Sequence, residues 1–191
     1  LSIRRQRQMC IRDSGKIAMK LNETDELVSV LPCNDKDNIL LATRLGKAIR
    51  FDVNDVRVFV GRGSSGVRGV RLKPKDIVVS MSLIPDTQEK YVLSVTENGF
   101  GKRTPVDDYR KTNRGGQGVA NIECSTRNGP VVASYVASEK DQIMLVTNSG
   151  KLIRIRVNGG EGDTIRIAGR KTQGVRLFDV DEGEKLSLIH I

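Results

Sequence analysis

Three segments of the 191-residue chain superpose on one pattern: "NILLATRLGKAIRFDV", "KYVLSVTENGFGKRTPV" and "DQIMLVTNSGKLIRIRV". Each carries Thr-x-x-Gly, at Thr43 and Gly46, Thr96 and Gly99, and Thr147 and Gly150, spaced by 53 and 51 residues. A Gly-Val pair recurs further on, with its glycine at Gly66, Gly118 and Gly174, spaced by 52 and 56 residues. The stretch "SGKIAMKLNETDELVSV" (14–30) matches "SGVRGVRLKPKDIVVSM" (65–81) at a constant offset of 51. One partial and three nearly complete copies of such a unit confine the chain to folds that stack one supersecondary unit on the next.

Inside each copy the apolar residues alternate by two, the mark of half-buried strands. Ile153, Ile155 and Val157 share a face opposite Leu152, Arg154 and Arg156, and Ile49, Phe51 and Val53 repeat the row against Ala48, Arg50 and Asp52. After each repeated glycine, the fourth and sixth residues are Met19 and Leu21, Val70 and Leu72, Ile122 and Cys124, and Phe178 and Val180, which predicts core strands there. Further strands are expected at "IVVSMSL" and "PVVASYV", and Asn98-Gly99 and Ser149-Gly150 supply turn chemistry. Four strands at this period predict propeller-like blades in an all-β fold: a partial blade over 15–36 and blades over 37–87, 88–137 and 138–186.

Residues 1–14 and 187–191 fit neither the repeat nor a targeting pattern. They resemble translated sequencing-adapter bases and are set apart as artefactual tails; a basic arm that folds on nucleic acid is the competing reading. Of the formal charge of +9, four Arg and one Asp in the first tail account for +3, so the body keeps +6. The body holds no His and two isolated cysteines, Cys33 and Cys124. Such a set makes neither a four-ligand zinc site nor a Cys-His or Ser-His pair, and it suits a reducing cytoplasm. No apolar run reaches the length of a membrane span.

Charge recurs with the repeat. Four residues after each Thr-x-x-Gly glycine stand Arg50, Arg103 and Arg154, and four before each Gly-Val glycine stand Arg62, Arg114 and Arg170. Equivalent positions in successive blades lie side by side, so these arginines are expected to form a stripe on a curved rim, thickened by Lys47, Lys102, Lys111 and Lys151. Bent duplex DNA is the candidate partner, gripped by arginine forks on phosphate and by backbone N–H groups of the Gly-rich loops. The 4% aromatic content argues against stacking single-stranded bases. A propeller that binds an acidic protein partner is the alternative. Asp107-Asp108 beside Pro105 reads as turn chemistry rather than a metal site.

"LATRLGKAIRF", "GRGSSGVRGVRL", "YRKTNRGGQGV" and "GRKTQGVRLF" resemble the C-terminal domain of the A subunit of bacterial DNA gyrase, over residues 15–186. The resemblance implies a β-pinwheel of six four-stranded blades with strands exchanged between neighbours, of which this chain holds about three and a half. It implies that a basic rim wraps duplex DNA and so supports ATP-dependent negative supercoiling by a type II topoisomerase. The implied partners are DNA, the B subunit of gyrase, plus a second A subunit, in the cytoplasm on the nucleoid. ATP and magnesium would be used by other parts of the holoenzyme, with no cofactor and no catalytic residue here. The family's catalytic tyrosine lies in an upstream domain, which leaves Tyr91, Tyr109 and Tyr135 as core or rim residues. The family's box, Gln-Arg-Arg-Gly-Gly-Lys/Arg-Gly, has only a degenerate match at 112–118, which implies weak wrapping by this piece alone. The C-terminal domain of the A subunit of topoisomerase IV is the alternative within the resemblance.

Overall fold

The structure, a computed structural model, describes residues 18–61, 63–85, 90–160, 164–181 and 183–189; for Leu188 and Ile189 only the backbone is described. The chain divides into two compact units, one containing the described residues up to Leu27 with Val56–Val67, the other Val28–Asp55 with Arg68 onward. In the first, the Lys20 amide donates to the Ser64 carbonyl at 3.1 Å, and Val58 and Val60 are exposed. The second holds every described strand.

Those strands are β1 (Asn38–Thr43), β2 (Lys47–Asp52), β3 (Val78–Ile84), β4 (Tyr91–Thr96), β5 (Phe100–Pro105), β6 (Val119–Ala120), β7 (Val131–Ala137), β8 (Gln142–Thr147), β9 (Leu152–Arg156), β10 (Val175–Arg176) and β11 (Leu186–Ile189). They pair antiparallel into three sheets of order β3-β1-β2-β6, β10-β5-β4-β7 and β11-β8-β9. In each, the hairpin turns at the Thr-x-x-Gly glycine, and Gly46, Gly99 and Gly150 all have positive φ. A sheet is therefore not one sequence repeat. In the two four-stranded sheets the fourth strand is lent by the next copy, as Lys47 pairs with Ala120 and Gly101 with Val175.

The alternation seen in the sequence becomes burial. Strand β4 is covered on both faces: Val92 packs with Leu40, Ala42, Val106 and Tyr109, while Leu93 and Val95 pack with Ile143, Leu145, Val157 and Ile165. Between these cores Asn121 accepts from Ser94 Oγ at 2.9 Å and Tyr109 OH at 2.6 Å, and its Nδ2 donates to Ser134 Oγ at 2.9 Å. The Tyr109 side chain is wholly buried, Tyr135 is half-buried, and Tyr91 lies beneath a guanidinium.

One expectation needs correction. The segments after Gly118 and Gly174 form strands of only two residues, and 18–21 and 66–72 form none; Ile122 is buried, Cys124, Phe178 and Val180 are half-buried, and Leu72, Met19 and Leu21 are exposed. The reason is that the chain leaves the ladder to cross the preceding hairpin turn. The Asn121 and Ile122 amides both donate to Gly46 O, and the Leu177 and Phe178 amides both donate to Gly99 O. For 68–72 no such turn lies among the described residues. In the segment 187–191, the described residues continue β11, with Ser187 paired to Val146 and Ile189 to Met144. Residues 1–14 lie outside the described residues.

Candidate nucleic-acid interface

The first set of recurring arginines faces its own protein. Arg50, half-buried on β2, donates through Nη1 to the carbonyls of Val106 at 3.3 Å and Tyr109 at 3.4 Å. Arg103, 2% exposed on β5, donates through Nε to the carbonyl of Ile165 at 2.7 Å. Its guanidinium lies 5.0 Å above the Tyr91 ring and 3.8 Å from the Glu139 carboxylate. Tyr109 and Ile165 occupy one place in successive repeats, 56 residues apart like Gly118 and Gly174. The backbone repeats the relation: Thr112 N donates to Arg50 O at 2.9 Å and Ala168 N to Arg103 O at 2.8 Å. An extended guanidinium with several N–H donors can reach carbonyls of the next repeat that the ladder leaves unmet. Arg103 is therefore a staple between repeats and not the rim contact expected, and half-buried Arg50 does the same work. Arg154 on β9 is exposed, without a side-chain partner among the described residues.

The second set divides its donors. Arg114, exposed, gives Nε to Asp55 O at 2.8 Å and Nη1 to Arg68 O at 3.1 Å. Arg170, half-buried, gives Nη1 to Ala120 O at 3.1 Å. Arg68 and Ala120 each stand two residues after a repeated glycine, so this too is one contact made twice. Arg114 keeps further N–H groups towards solvent. Arg62 lies outside the described residues.

The lysines scatter in their roles. Lys47 is half-buried, with no partner for its ammonium among the described residues. Exposed Lys111 is paired with Asp52, and that ammonium together with the Asn54 amide holds the Asp52 carboxyl down to about 2. Lys151 is clasped by Asp181 and, at 3.2 Å, by Glu184, which raises its pKa. Lys102 is completely buried, contrary to its expected place on the rim. Among the described residues no group of three His, Cys, Asp or Glu could hold a metal, and Asp107 and Asp108 sit on the 3-10 turn Val106–Asp108. No described helix is long and apolar enough to cross a membrane.

A third recurring arginine escapes a count made from the glycines. Aligning "VRVFVGRGSSGV", "YRKTNRGGQGV" and "IRIAGRKTQGV" on their leading apolar residue puts Arg57, Arg110 and Arg166 in one place. A one-residue insertion in the first copy hides this from fixed-offset counting. All three are exposed, as is Lys171 beside Arg170. Arg57 stacks 4.5 Å over Phe59, and the side chains of Arg110 and Arg166 have no hydrogen bond or ion pair among the described residues.

The sequence profile described as DNA gyrase C-terminal domain, beta-propeller, matches residues 12–34, 37–85, 90–129 and 141–191. The chain belongs to the DNA gyrase A C-terminal domain family. The A subunit of DNA gyrase from Rickettsia bellii (strain RML369-C) is 38% identical over 222 residues, spanning 92% of this chain and 24% of that protein. The A subunit of DNA gyrase from Klebsiella oxytoca is 43% identical over 175 residues, spanning 92% of this chain and 19% of that protein. The chain thus spans about a quarter or less of these relatives. Among solved structures, the C-terminal domain of DNA topoisomerase IV superposes with a TM-score of 0.81 at 28% identity, covering 91% of this chain and 52% of that one. The DNA gyrase A C-terminal domain superposes with a TM-score of 0.78 at 29% identity, covering 92% and 58%. The lent fourth strands are accordingly those of a gyrase-type β-pinwheel, and the profile reaches into both segments set apart as tails.

Proposed function

We propose that this chain is a duplex-binding part of a gyrase A subunit. It holds the sugar-phosphate backbone with exposed arginines and so supports ATP-dependent negative supercoiling by the assembled topoisomerase. The observation that carries this reading is the exposure of Arg110, Arg114, Arg166 and Lys171 around the glycine turns in a chain of net charge +9. Guanidinium groups without a local carboxylate are available to phosphate, and each contact releases condensed counterions. Such contacts carry no base code, so binding is sequence-tolerant. The gyrase B subunit, with a second A subunit, completes the holoenzyme; ATP and magnesium are used in those other parts, and the setting is the cytoplasmic nucleoid.

Closing nicked plasmid in the presence of the protein tests the wrapping directly. A shift of linking number towards positive wraps supports the reading, and unchanged topoisomers with DNA bound reduce it to passive attachment. Topoisomerase IV is the second reading, favoured by the TM-score of 0.81 to that enzyme's C-terminal domain. Placing the chain in its full-length protein, together with ATP and the ATPase partner, separates the two. Negative supercoiling of relaxed plasmid supports gyrase, and relaxation without supercoiling supports topoisomerase IV.

A further inference from the structure

Three residues after the repeated glycine, β2 carries Ile49 and β9 carries Ile153, but β5 carries Lys102. A lysine has entered an apolar place and stays there at 0% exposure. Its Nζ donates to Gly169 O at 2.5 Å and to Thr172 Oγ1 at 3.2 Å, and the Thr172 hydroxyl donates to the same Gly169 O at 2.8 Å. The ammonium thus closes the turn over Gly169–Gly174 from beneath. One repeat earlier the corresponding turn has Gly116 where this one has Thr172. There the packing is apolar: a Cβ added to Gly116 would lie 3.6 Å from Ile49 Cδ1. Lys102 and Thr172 have together replaced Ile49 and Gly116.

The charged groups around Lys102 are few. Arg170 and Asp108 act on it electrostatically, and Arg166 lines the same cavity with Gly169, Thr172 and Gln173. Across the sheet it faces Ser94 on β4, and beyond the turn the Glu123 amide donates to Thr172 O at 3.1 Å. No carboxylate forms an ion pair with it among the described residues.

We propose that Lys102 is the positioning residue of the 169–174 turn, fixing the backbone that carries Arg170 and Lys171 and adding a cation behind it, so that duplex binding at this turn depends on pH while binding at the Gly115–Gly116 turn does not. The proposal rests on the duplex-binding reading above. Desolvation, and after it Arg170, depress the Lys102 pKa to about 8. Ordinary lysines titrate near 10.4. Between about pH 7 and about pH 9 the charge behind the turn is lost while exposed lysines keep theirs, so affinity falls as pH rises.

The test uses the full chain, the variant Lys102→Ile and the double variant Lys102→Ile/Thr172→Gly, which rebuilds the Ile49–Gly116 arrangement and guards against simple misfolding. Without DNA, at neutral pH, amide exchange across 169–174 is expected to accelerate about tenfold in Lys102→Ile and to slow again in the double variant. With a short fluorescent duplex of mixed sequence, the wild-type Kd is expected to rise about fivefold from about pH 7 to about pH 9, as for one charge acting across a turn at intermediate dielectric. In both variants that dependence disappears, and the slope of log K against log[salt] stays at the wild-type value because Lys102 touches no phosphate. Unchanged exchange in Lys102→Ile, or a pH profile identical to wild type, overturns the proposal, as does a slope reduced by about 0.9, the mark of a direct phosphate contact. If the wild-type chain binds no duplex while Lys102→Ile still loosens the turn, the duplex reading falls and the positioning role stands.

Discussion

Arg103 reaches across from β5 to the carbonyl of Ile165, and one repeat earlier Arg50 reaches from β2 to the carbonyl of Tyr109. Two arginines that recur with the repeat thus close neighbouring units on one another. Removing the fork while keeping its apolar stem, in Arg103→Met, leaves a buried carbonyl without a donor and should cost about 2–3 kcal/mol. Urea unfolding should show a lower midpoint at unchanged slope, and Arg110→Ala should stay within about 0.5 kcal/mol of wild type.

Recurrence in a repeat protein has two physical sources, and sequence alone weighs them poorly. The fold was legible because alternation by two and the Thr-x-x-Gly turns are local signals, and both reappear as hairpins β1-β2, β4-β5 and β8-β9. What the recurring Arg50 and Arg103 bond to lies about 60 residues further along the chain, which no local pattern reveals. Arg110 and Arg166 were hidden for a different reason, since the single-residue insertion ahead of Gly66 breaks the fixed count. Asn121, which ties Ser94, Tyr109 and Ser134 together, carries no sequence signal at all because a buried polar network is a tertiary object.

That network gives a second prediction. Asn121→Ala takes the shared acceptor from the buried Ser94 and Tyr109 hydroxyls, while Ser134 Oγ still donates to Ser94 Oγ at 3.0 Å; it should cost about 3 kcal/mol, against about 1 kcal/mol for Tyr109→Phe, which removes one donor and leaves Asn121 its other partners. Thermal unfolding of both variants measures the difference. A larger loss in Tyr109→Phe would place the energy of the network in the Tyr109 hydroxyl and not in Asn121.

The repeated turn glycines separate strain from collision. Gly99 and Gly150 both have positive φ, yet a Cβ on Gly99 would sit 2.1 Å from the Phe178 carbonyl oxygen, whereas among the described residues nothing lies within 4 Å of one on Gly150. Gly150→Ala should therefore cost about 1 kcal/mol for backbone strain alone. Gly99→Ala should cost more than about 3 kcal/mol, because the crossing segment at Leu177–Phe178 must move. Equal losses in denaturant titrations of the two variants would argue against the crossing as described.

Acid should loosen the Asp52–Lys111 pair. The Asp52 carboxyl is held at about 2, below its ordinary 3.8, so the folded chain binds fewer protons than the unfolded one between those values. Its contribution is present above about 3.8 and is lost as pH falls towards about 2. Asp52→Asn should flatten that limb of the stability profile, measured by urea midpoints at successive pH values.

The central claim is that duplex phosphate is held by the exposed Arg110 and Arg166, while the buried Arg103 only joins repeats. The salt dependence of duplex binding tests it most directly, measured for wild type, Arg110→Ala, Arg166→Ala and Arg103→Met where circular dichroism shows each folded. The slope of log K against log[salt] should shrink by about 0.9 in each exposed-arginine variant and remain at the wild-type value in Arg103→Met. A slope that shrinks in Arg103→Met but holds in Arg110→Ala and Arg166→Ala would contradict the account.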